Sequence, residues 1–433
     1  LPIKHFPTTR TIILRNHLSE LISSLYVVRM NTSQRKRAFM FILITLSLDA
    51  MGIGLILPVM PDLISEVNGG TIGDAAFWGG ILATTFAVMQ FIFGPILGSL
   101  SDRYGRRPVL LISLLAMTID YIVMAVAGTI WLLFITRVIG GITAATQSTA
   151  TAFIADISKP EEKFANFGLV GAAYGLGFVL GPVIGGLLGE FGPRAPIYAA
   201  ALLGGLNLIF GYFVLPETVT DRIRRPFVLR RANPLAAFKS LGELDGVRRL
   251  IFLVFLYEFA FTVYPATWAY FTKEAYGWSP GMVGVSLALF GIGMAIVQGG
   301  LIRIALRHLG ERRTIVYGIW FNLAAFVVLT LISNGWLALA FIPLTSFGAV
   351  VTPTLQGLMS QRVGDDRQGE LQGVVSSAKS MAMIFSPLVM TQLFWAFTTE
   401  SGPYFPGAAF ILSALIMILC LLVFLGPTRQ TAA

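Results

Sequence analysis

Across 433 residues the chain is 55% hydrophobic and only 12% charged, with a mean hydropathy of +0.77. A soluble domain carries about 25% charged residues, so a fold that covers itself with a water-facing surface is excluded. The net charge of +9 raises nucleic acid as a partner, a reading its placement in short loops argues against, and the one cysteine, Cys420, excludes a disulfide framework and a Cys-based metal site.

Apolar segments of about 20 residues, the length that crosses ~30 Å of hydrocarbon, predict twelve membrane spans. They lie near 38–60, 77–100, 108–127, 130–155, 164–189, 195–215, 249–272, 280–306, 314–333, 336–360, 369–398 and 403–426. Ahead of them, residues 1–37 are expected to be a cytoplasmic segment. It opens with Leu1, its first Met is Met30, and Ile12–Val28 carries apolar residues at helical spacing. Two readings stand: a helix lying on the membrane surface, or, preferred, translated sequence upstream of the usual start. No cleavable signal peptide is expected, because span 1 lacks a small-residue cleavage site and is long enough to cross.

With both termini on one side, 27 of the 31 Lys and Arg fall on that side, in the N-terminal segment, the loops after even-numbered spans and Arg429. Arg194 and Lys273 lie on the other side, and Arg137 and Lys379 lie within spans. This bias predicts cytoplasmic termini and anionic lipid headgroups as the partner of the basic excess.

Span 1 carries Leu48-Asp49-Ala50-Met51-Gly52-Ile53-Gly54-Leu55-Ile56-Leu57-Pro58-Val59-Met60-Pro61. Asp49 lies ~16 Å from the cytoplasmic end of its helix at ~1.5 Å per residue, where an ionisable group is costly and a candidate for function. Span 2 runs into Gly94-Pro95-Ile96-Leu97-Gly98-Ser99-Leu100-Ser101-Asp102-Arg103-Tyr104-Gly105-Arg106-Arg107-Pro108. Gly94 and Gly98 suit close helix packing, Gly105 a tight turn with positive φ, and Pro108 a first helical turn. Asp102 stands among Arg103, Arg106 and Arg107, available for charge-assisted bonds. On these residues the sequence resembles the major facilitator superfamily, whose signature between spans 2 and 3 it matches almost letter for letter. The resemblance implies that Gly98, Ser101, Asp102, Arg103, Gly105, Arg106 and Arg107 form a cytoplasmic gate, with Asp102 and its arginines a latch that holds in one state and parts in another.

Span 3 places Asp120 ~18 Å deep, and span 4 places Arg137 ~10 Å from the outer end, within reach of the depth of Asp49. A carboxylate whose Arg contact is made in one conformation and lost in another couples proton release to movement. Span 5 reads Gly171-Ala172-Ala173-Tyr174-Gly175-Leu176-Gly177-Phe178-Val179-Leu180-Gly181-Pro182-Val183-Ile184-Gly185-Gly186, with small residues on most turns and a Pro that frees a carbonyl. Gly177, Gly181, Pro182, Gly185 and Gly186 resemble the span 5 signature of drug/proton antiporters, which implies export.

After span 6 comes a polar, basic stretch, Pro216–Leu250, broken by Pro226 and Pro234, which reads as an exposed linker. Beyond it four landmarks recur at an offset of 205 residues: Gly105 and Gly310, Trp131 and Trp336, Gly168 and Gly373, Pro182 and Pro387. The expected fold is therefore an all-α membrane protein of two pseudo-symmetric six-helix halves, residues 38–215 and 249–427, joined by a linker at 216–248. Such a parallel repeat places a substrate site at midplane between the halves. At the same offset Asp102 becomes Arg307, so an asymmetric latch is expected. Glu258 in span 7 and Lys379 in span 11 come out at similar depths and are expected to pair; Glu258 joins Asp49, Asp120 and Arg137 as a proton-coupling candidate. Gln147, Tyr257, Trp268, Asn322, Gln356 and Lys379 are candidate cavity residues.

Within the superfamily, residues 38–426 resemble the tetracycline efflux pumps. The resemblance rests on the span 1 run, Ile119-Asp120-Tyr121, Arg137-Val138-Ile139-Gly140-Gly141-Ile142-Thr143 and Gln368-Gly369-Glu370-Leu371-Gln372-Gly373. Those pumps carry an aspartate where this chain has Asn322, and often a His where it has Met294. The resemblance implies a monomeric, proton-driven exporter of a small, partly apolar molecule in a bacterial inner membrane, with no cofactor and no metal. The alternative is an uptake symporter on the same fold, since Leu215-Pro216-Glu217-Thr218 is similar to a run in sugar transporters. Neither a nucleophile–base pair nor a metal cluster is visible, so no enzyme is expected.

Overall fold

A computed structural model describes residues 32–144, 146–219, 224, 227, 246–364, 367–399 and 403–426. The Ile12–Val28 stretch, most of the 216–248 linker and Arg429 lie outside the described residues. All regular structure among the described residues is helical, as an apolar chain in hydrocarbon requires, because only a helix or a closed barrel satisfies its own backbone there.

Among the described residues, eleven helices are long and apolar enough to cross a membrane. They are α1 Ser33–Ile56, α2 Ile72–Tyr104, α3 Arg106–Ala125, α4 Ile130–Ile157, α5 Ala165–Gly189, α6 Ala195–Val214, α7 Arg248–Tyr276, Pro280–Leu331, α10 Gly335–Arg362, α11 Gln368–Ala396 and α12 Ala408–Leu425. Pro280–Leu331 holds 52 residues, which would run ~78 Å as one straight rod against ~30 Å of hydrocarbon. It breaks at Gly310 (φ 71°, ψ 169°) into two passes, α8 (280–309) and α9 (311–331). Leu202, Leu206, Ile209 and Phe213 of α6 are exposed, the pattern of a lipid-facing surface. Trp131 and Trp336 stand exposed at the starts of α4 and α10, where interfacial aromatics belong.

The helix α2 is longer than its apolar core because polar residues carry it past the hydrocarbon. Thr71 and Asp74 cap each other reciprocally at its start: the Asp74 amide donates to the Thr71 hydroxyl (3.2 Å) and the Thr71 amide to the Asp74 carboxylate (2.9 Å). The last helix starts later than its hydropathy predicts, at Ala408, after a turn through Pro406 and Gly407.

The repeat is visible in backbone as well as sequence. Gly105 and Gly310 both take positive φ, 113° and 71°, in equivalent tight turns. The helix of α1 ends at Ile56 and restarts as the short Met60–Asn68 helix; α7 is interrupted at Thr262, the matching position. α4 breaks after Thr143, and α10 tightens into a 3₁₀ turn at Ser346–Val350.

Small residues set the packing. A side chain on Gly181 would meet the Met51 carbonyl at 2.6 Å, and one on Gly185 would meet Leu55 Cα at 2.6 Å, so α5 lies directly on the backbone of α1. Gly186 does the same to α8, facing Pro280 and Gly284. The face of the molecule carrying the Lys/Arg-rich loops is called here the basic face, and its opposite the far face. Towards the far face the halves meet: Lys273 pairs with Asp62 at 2.6 Å, Trp395 donates to Asp74 at 3.1 Å, and the Gly281 amide donates to Glu190 at 2.9 Å. Deeper in, Thr84 donates to the Ile384 carbonyl at 3.0 Å. Towards the basic face the same helices present glycines on which none of the described residues packs: Gly94 and Gly98 on α2, Gly168, Gly171 and Gly175 on α5, Gly299 and Gly300 on α8. The expectation of close packing at Gly94 and Gly98 is therefore not met in this conformation, because the halves are parted there.

Candidate functional site

Between the parted halves lies a cavity of about 270 Å³. Its polar wall belongs to the first half: Asp49 (α1), Gln90 (α2), Asp120 (α3), Arg137 and Gln147 (α4) and Tyr174 (α5). The second half contributes an apolar wall, chiefly Pro265, Ala266, Ala269 and Tyr270 of α7 and Pro387 of α11. Such a cavity suits a molecule with one polar and one apolar side.

The charges divide unequally. The Arg137 guanidinium pairs with Asp120 at 3.0 Å, where the Asp120 side chain is only 4% exposed. Asp120 is pressed against Gly140, whose missing side chain makes the room: an added Cβ would lie 3.1 Å from the carboxylate. One Asp120 oxygen and the Arg137 Nε have no hydrogen-bond partner among the described residues. Arg137 also stands over the Phe86 ring at 5.7 Å. Asp49 has no ion-pair partner among the described residues, although it lines the same cavity. Depth along the helices placed Arg137 level with Asp49, but rotation about the helix axis, which depth does not report, turns it to Asp120.

In the second half Glu258 and Lys379 form an ion pair at 3.2 Å, with Thr352 donating to the same Glu258 oxygen at 3.2 Å. Three candidate cavity residues are placed elsewhere. Tyr257, Trp268 and Asn322 are buried in the core of the second half and do not line the cavity. Trp268 donates to Ser286 at 2.8 Å; Asn322 donates to the Tyr257 hydroxyl at 2.8 Å, and that hydroxyl donates to the Gly348 carbonyl at 3.0 Å. Each of these donors finds its acceptor on a neighbouring helix instead of in open space, which is why a polar or aromatic residue at midplane depth is a poor guide to the cavity. Gln356 and Lys379 also lie outside this cavity's wall. Of the six candidates only Gln147 lines it. Gln90, Phe86, Tyr174 and Tyr270 line it without having been singled out; for Tyr174 the cue was its place within the glycine-rich run of α5.

Among the described residues, the loop between α2 and α3 is tied into the first half. Arg106 pairs with Asp102 at 2.6 Å and with Asp156 of α4 at 3.2 Å, and donates to Ser101 at 2.6 Å. Glu217, after α6, accepts from the Arg106 amide at 2.9 Å and the Arg107 amide at 3.3 Å. Arg107 donates to the Tyr212 carbonyl at 2.8 Å, and Arg103 lies over the Tyr104 ring at 5.1 Å. Asp156 and Glu217 were not among the gate residues expected from sequence.

Family comparison agrees with this architecture. The model of the Major Facilitator Superfamily matches residues 42–387 and 250–433. The chain belongs to the Major Facilitator Superfamily. It is therefore a multi-pass membrane transporter, built on a fold that carries small molecules. It is 40% identical to the class C tetracycline resistance protein of Escherichia coli over 89% of this chain and 95% of that one. It is 34% identical to the class B protein of Escherichia coli, over 88% and 93%. A bacterial homolog of the human lysosomal transporter Spinster, in an inward-facing and occupied conformation, shares the fold with a TM-score of 0.72 at 15% identity, covering 91% of this chain and 97% of that one.

Proposed function

We propose that the transporter exports a small, partly apolar compound, tetracycline being the first candidate, from the cytoplasm across a bacterial inner membrane in exchange for protons. The basic face is then cytoplasmic, and the conformation described here is the one that receives substrate. The observation that carries the reading is the division of charge in the cavity: one carboxylate, Asp49, without an ion pair among the described residues, and a second, Asp120, held by Arg137. Asp49 is then the group that exchanges protons with the cavity, and Asp120 is released or engaged as Arg137 moves between states; Glu258 of the second half is a further candidate carboxylate. The gate residues around Asp102 and Arg106 are disengaged from the second half in this state and engage it in the other. The glycines of α5, together with Pro182, let α5 slide against α1 and α8. Relatives at 34–40% identity bear the name tetracycline resistance protein, which makes tetracycline the first compound to test; Asn322, where those pumps carry aspartate, lies outside the cavity wall.

The test is uptake of tetracycline into everted vesicles energised by respiration. Accumulation that a proton ionophore abolishes supports antiport, and Asp49→Asn is expected to reduce it at least about tenfold with membrane insertion intact. Full transport by the Asn variant removes Asp49 from the mechanism. Accumulation in right-side-out vesicles driven by inward proton flow would instead support the uptake symporter.

A further inference from the structure

The offset of 205 residues maps one half's cavity wall onto the other. Asp49, Asp120 and Arg137 map onto Val254, Ala325 and Ile342, all buried and apolar, so the ionic cluster of the first half has no counterpart. Three other cavity-lining residues of the first half, Ile53, Gln147 and Tyr174, map onto Glu258, Thr352 and Lys379. These are the three residues that form the ion-pair cluster of the second half. By the symmetry of the fold the cluster thus stands where the first half touches its cavity. It lies seven residues before Pro265 on α7 and eight before Pro387 on α11, two turns or ~10–12 Å from the apolar wall, on the way from the basic face.

The pair is built unlike a structural one. Lys379 is 31% and Glu258 20% exposed, against 4% for Asp120. Both bonds to Glu258 fall on Oε1, leaving Oε2 without a partner among the described residues, and Lys379 spends its donors on Glu258 alone. Thr262, one turn on, donates back to the Glu258 carbonyl at 2.7 Å where α7 is interrupted, so the pair sits just before a bend. A cation and an anion 3.2 Å apart, each partly exposed and with unused bonding capacity, suit a molecule that carries both an acid and a base.

We propose that Glu258, Thr352 and Lys379 form a substrate-recognition subsite that takes amphoteric molecules, the substrate's acid group binding Lys379 and its basic or donor group binding Glu258. The inference rests on the export reading for its setting. It differs in readout: it concerns binding selectivity, whereas that reading concerns proton-driven transport. A partly exposed ion pair is weak enough for a substrate to open.

The test is equilibrium binding by the full chain in detergent at pH 7, with tetracycline as the amphoteric probe and tetraphenylphosphonium as a permanent cation without an acid group. Lys379→Met is expected to weaken tetracycline binding at least roughly tenfold and leave tetraphenylphosphonium within about twofold. The exchange variant, Glu258→Lys with Lys379→Glu, keeps an ion pair but swaps its ends and is expected to remain defective for tetracycline. Complete rescue in the exchange variant would show a purely structural pair and overturn the proposal. So would unchanged tetracycline binding in Lys379→Met, an equal loss for both probes, or no tetracycline binding by wild type. Intact binding with no proton-driven accumulation would overturn the export reading and leave the subsite standing.

Discussion

Asn322 shows how much a single buried amide decides. Its NH₂ donates to Tyr257, Tyr257 donates onward to Gly348, and the amide oxygen has no partner among the described residues. Tyr257→Phe would strand the amide nitrogen, and a buried donor left unmade costs about 1–3 kcal/mol. A drop in the thermal midpoint of the purified protein, with tetracycline transport nearly unchanged, is the expected outcome; lost transport at unchanged stability would place Tyr257 in the mechanism instead. The sequence marked Asp49, Asp120, Arg137, Glu258 and Lys379 as charges within spans, because composition alone makes them conspicuous. It marked one partnership, Glu258 with Lys379, and left that of Arg137 open. Arg137 pairs with Asp120 across α3 and α4, and choosing between two carboxylates of similar depth needs the rotation of each helix.

At the scale of helices, α5 divides into two stretches of glycine with opposite surroundings. Gly185 lies on α1, where an added Cβ would meet Leu55 Cα at 2.6 Å, while Gly175 has no neighbour within 4 Å. Gly185→Ala is expected to destabilise by about 1–3 kcal/mol through overpacking, and Gly175→Ala to change stability by no more than about 1 kcal/mol. Thermal unfolding of both variants in one detergent checks the contrast, and equal effects would contradict it. The spans were legible because hydrocarbon enforces length and apolarity, and the turns at Gly105 and Gly310 because positive φ favours glycine. Which stretch of α5 is covered was not legible. The same spacing of small residues serves both stretches, and coverage depends on how the halves lie.

For the molecule as a whole, closure rests on a handful of far-face contacts. Lys273 and Asp62 make an ion pair between the halves, their side chains 14% and 30% exposed. Beside it Glu190, on the exposed end of α5, is held below the usual carboxylate range by the Ser279 hydroxyl and the Gly281 amide. A lowered pKa means that this contact contributes above the ordinary glutamate range and is lost as pH falls through the lowered value. Lys273→Met is expected to open the far side, speeding alkylation of a Leu57→Cys reporter by an impermeant maleimide by roughly fivefold, the worth of ~1 kcal/mol. The measurement is made in a Cys420→Ser background. Acidification below the ordinary glutamate range is expected to raise labelling, measured relative to a free thiol at the same pH, in the parent and less so in Glu190→Gln. Labelling that ignores both changes would show that helix packing alone holds the far face shut.

The bare glycines on the basic-face stretches of α2, α5 and α8 carry a consequence for how such a chain tolerates change. A methyl group added at Gly98, Gly168 or Gly299 meets nothing in this conformation, so stability measured here would not register it. On the proposed export cycle these backbones approach one another in the opposite conformation, and the same methyl becomes a wedge. Substitutions of this kind would yield a protein that folds, inserts and binds yet turns over slowly, a defect of kinetics hidden from every assay of the resting state. The surface that looks least constrained in one pose is then the surface most tightly constrained over a full cycle.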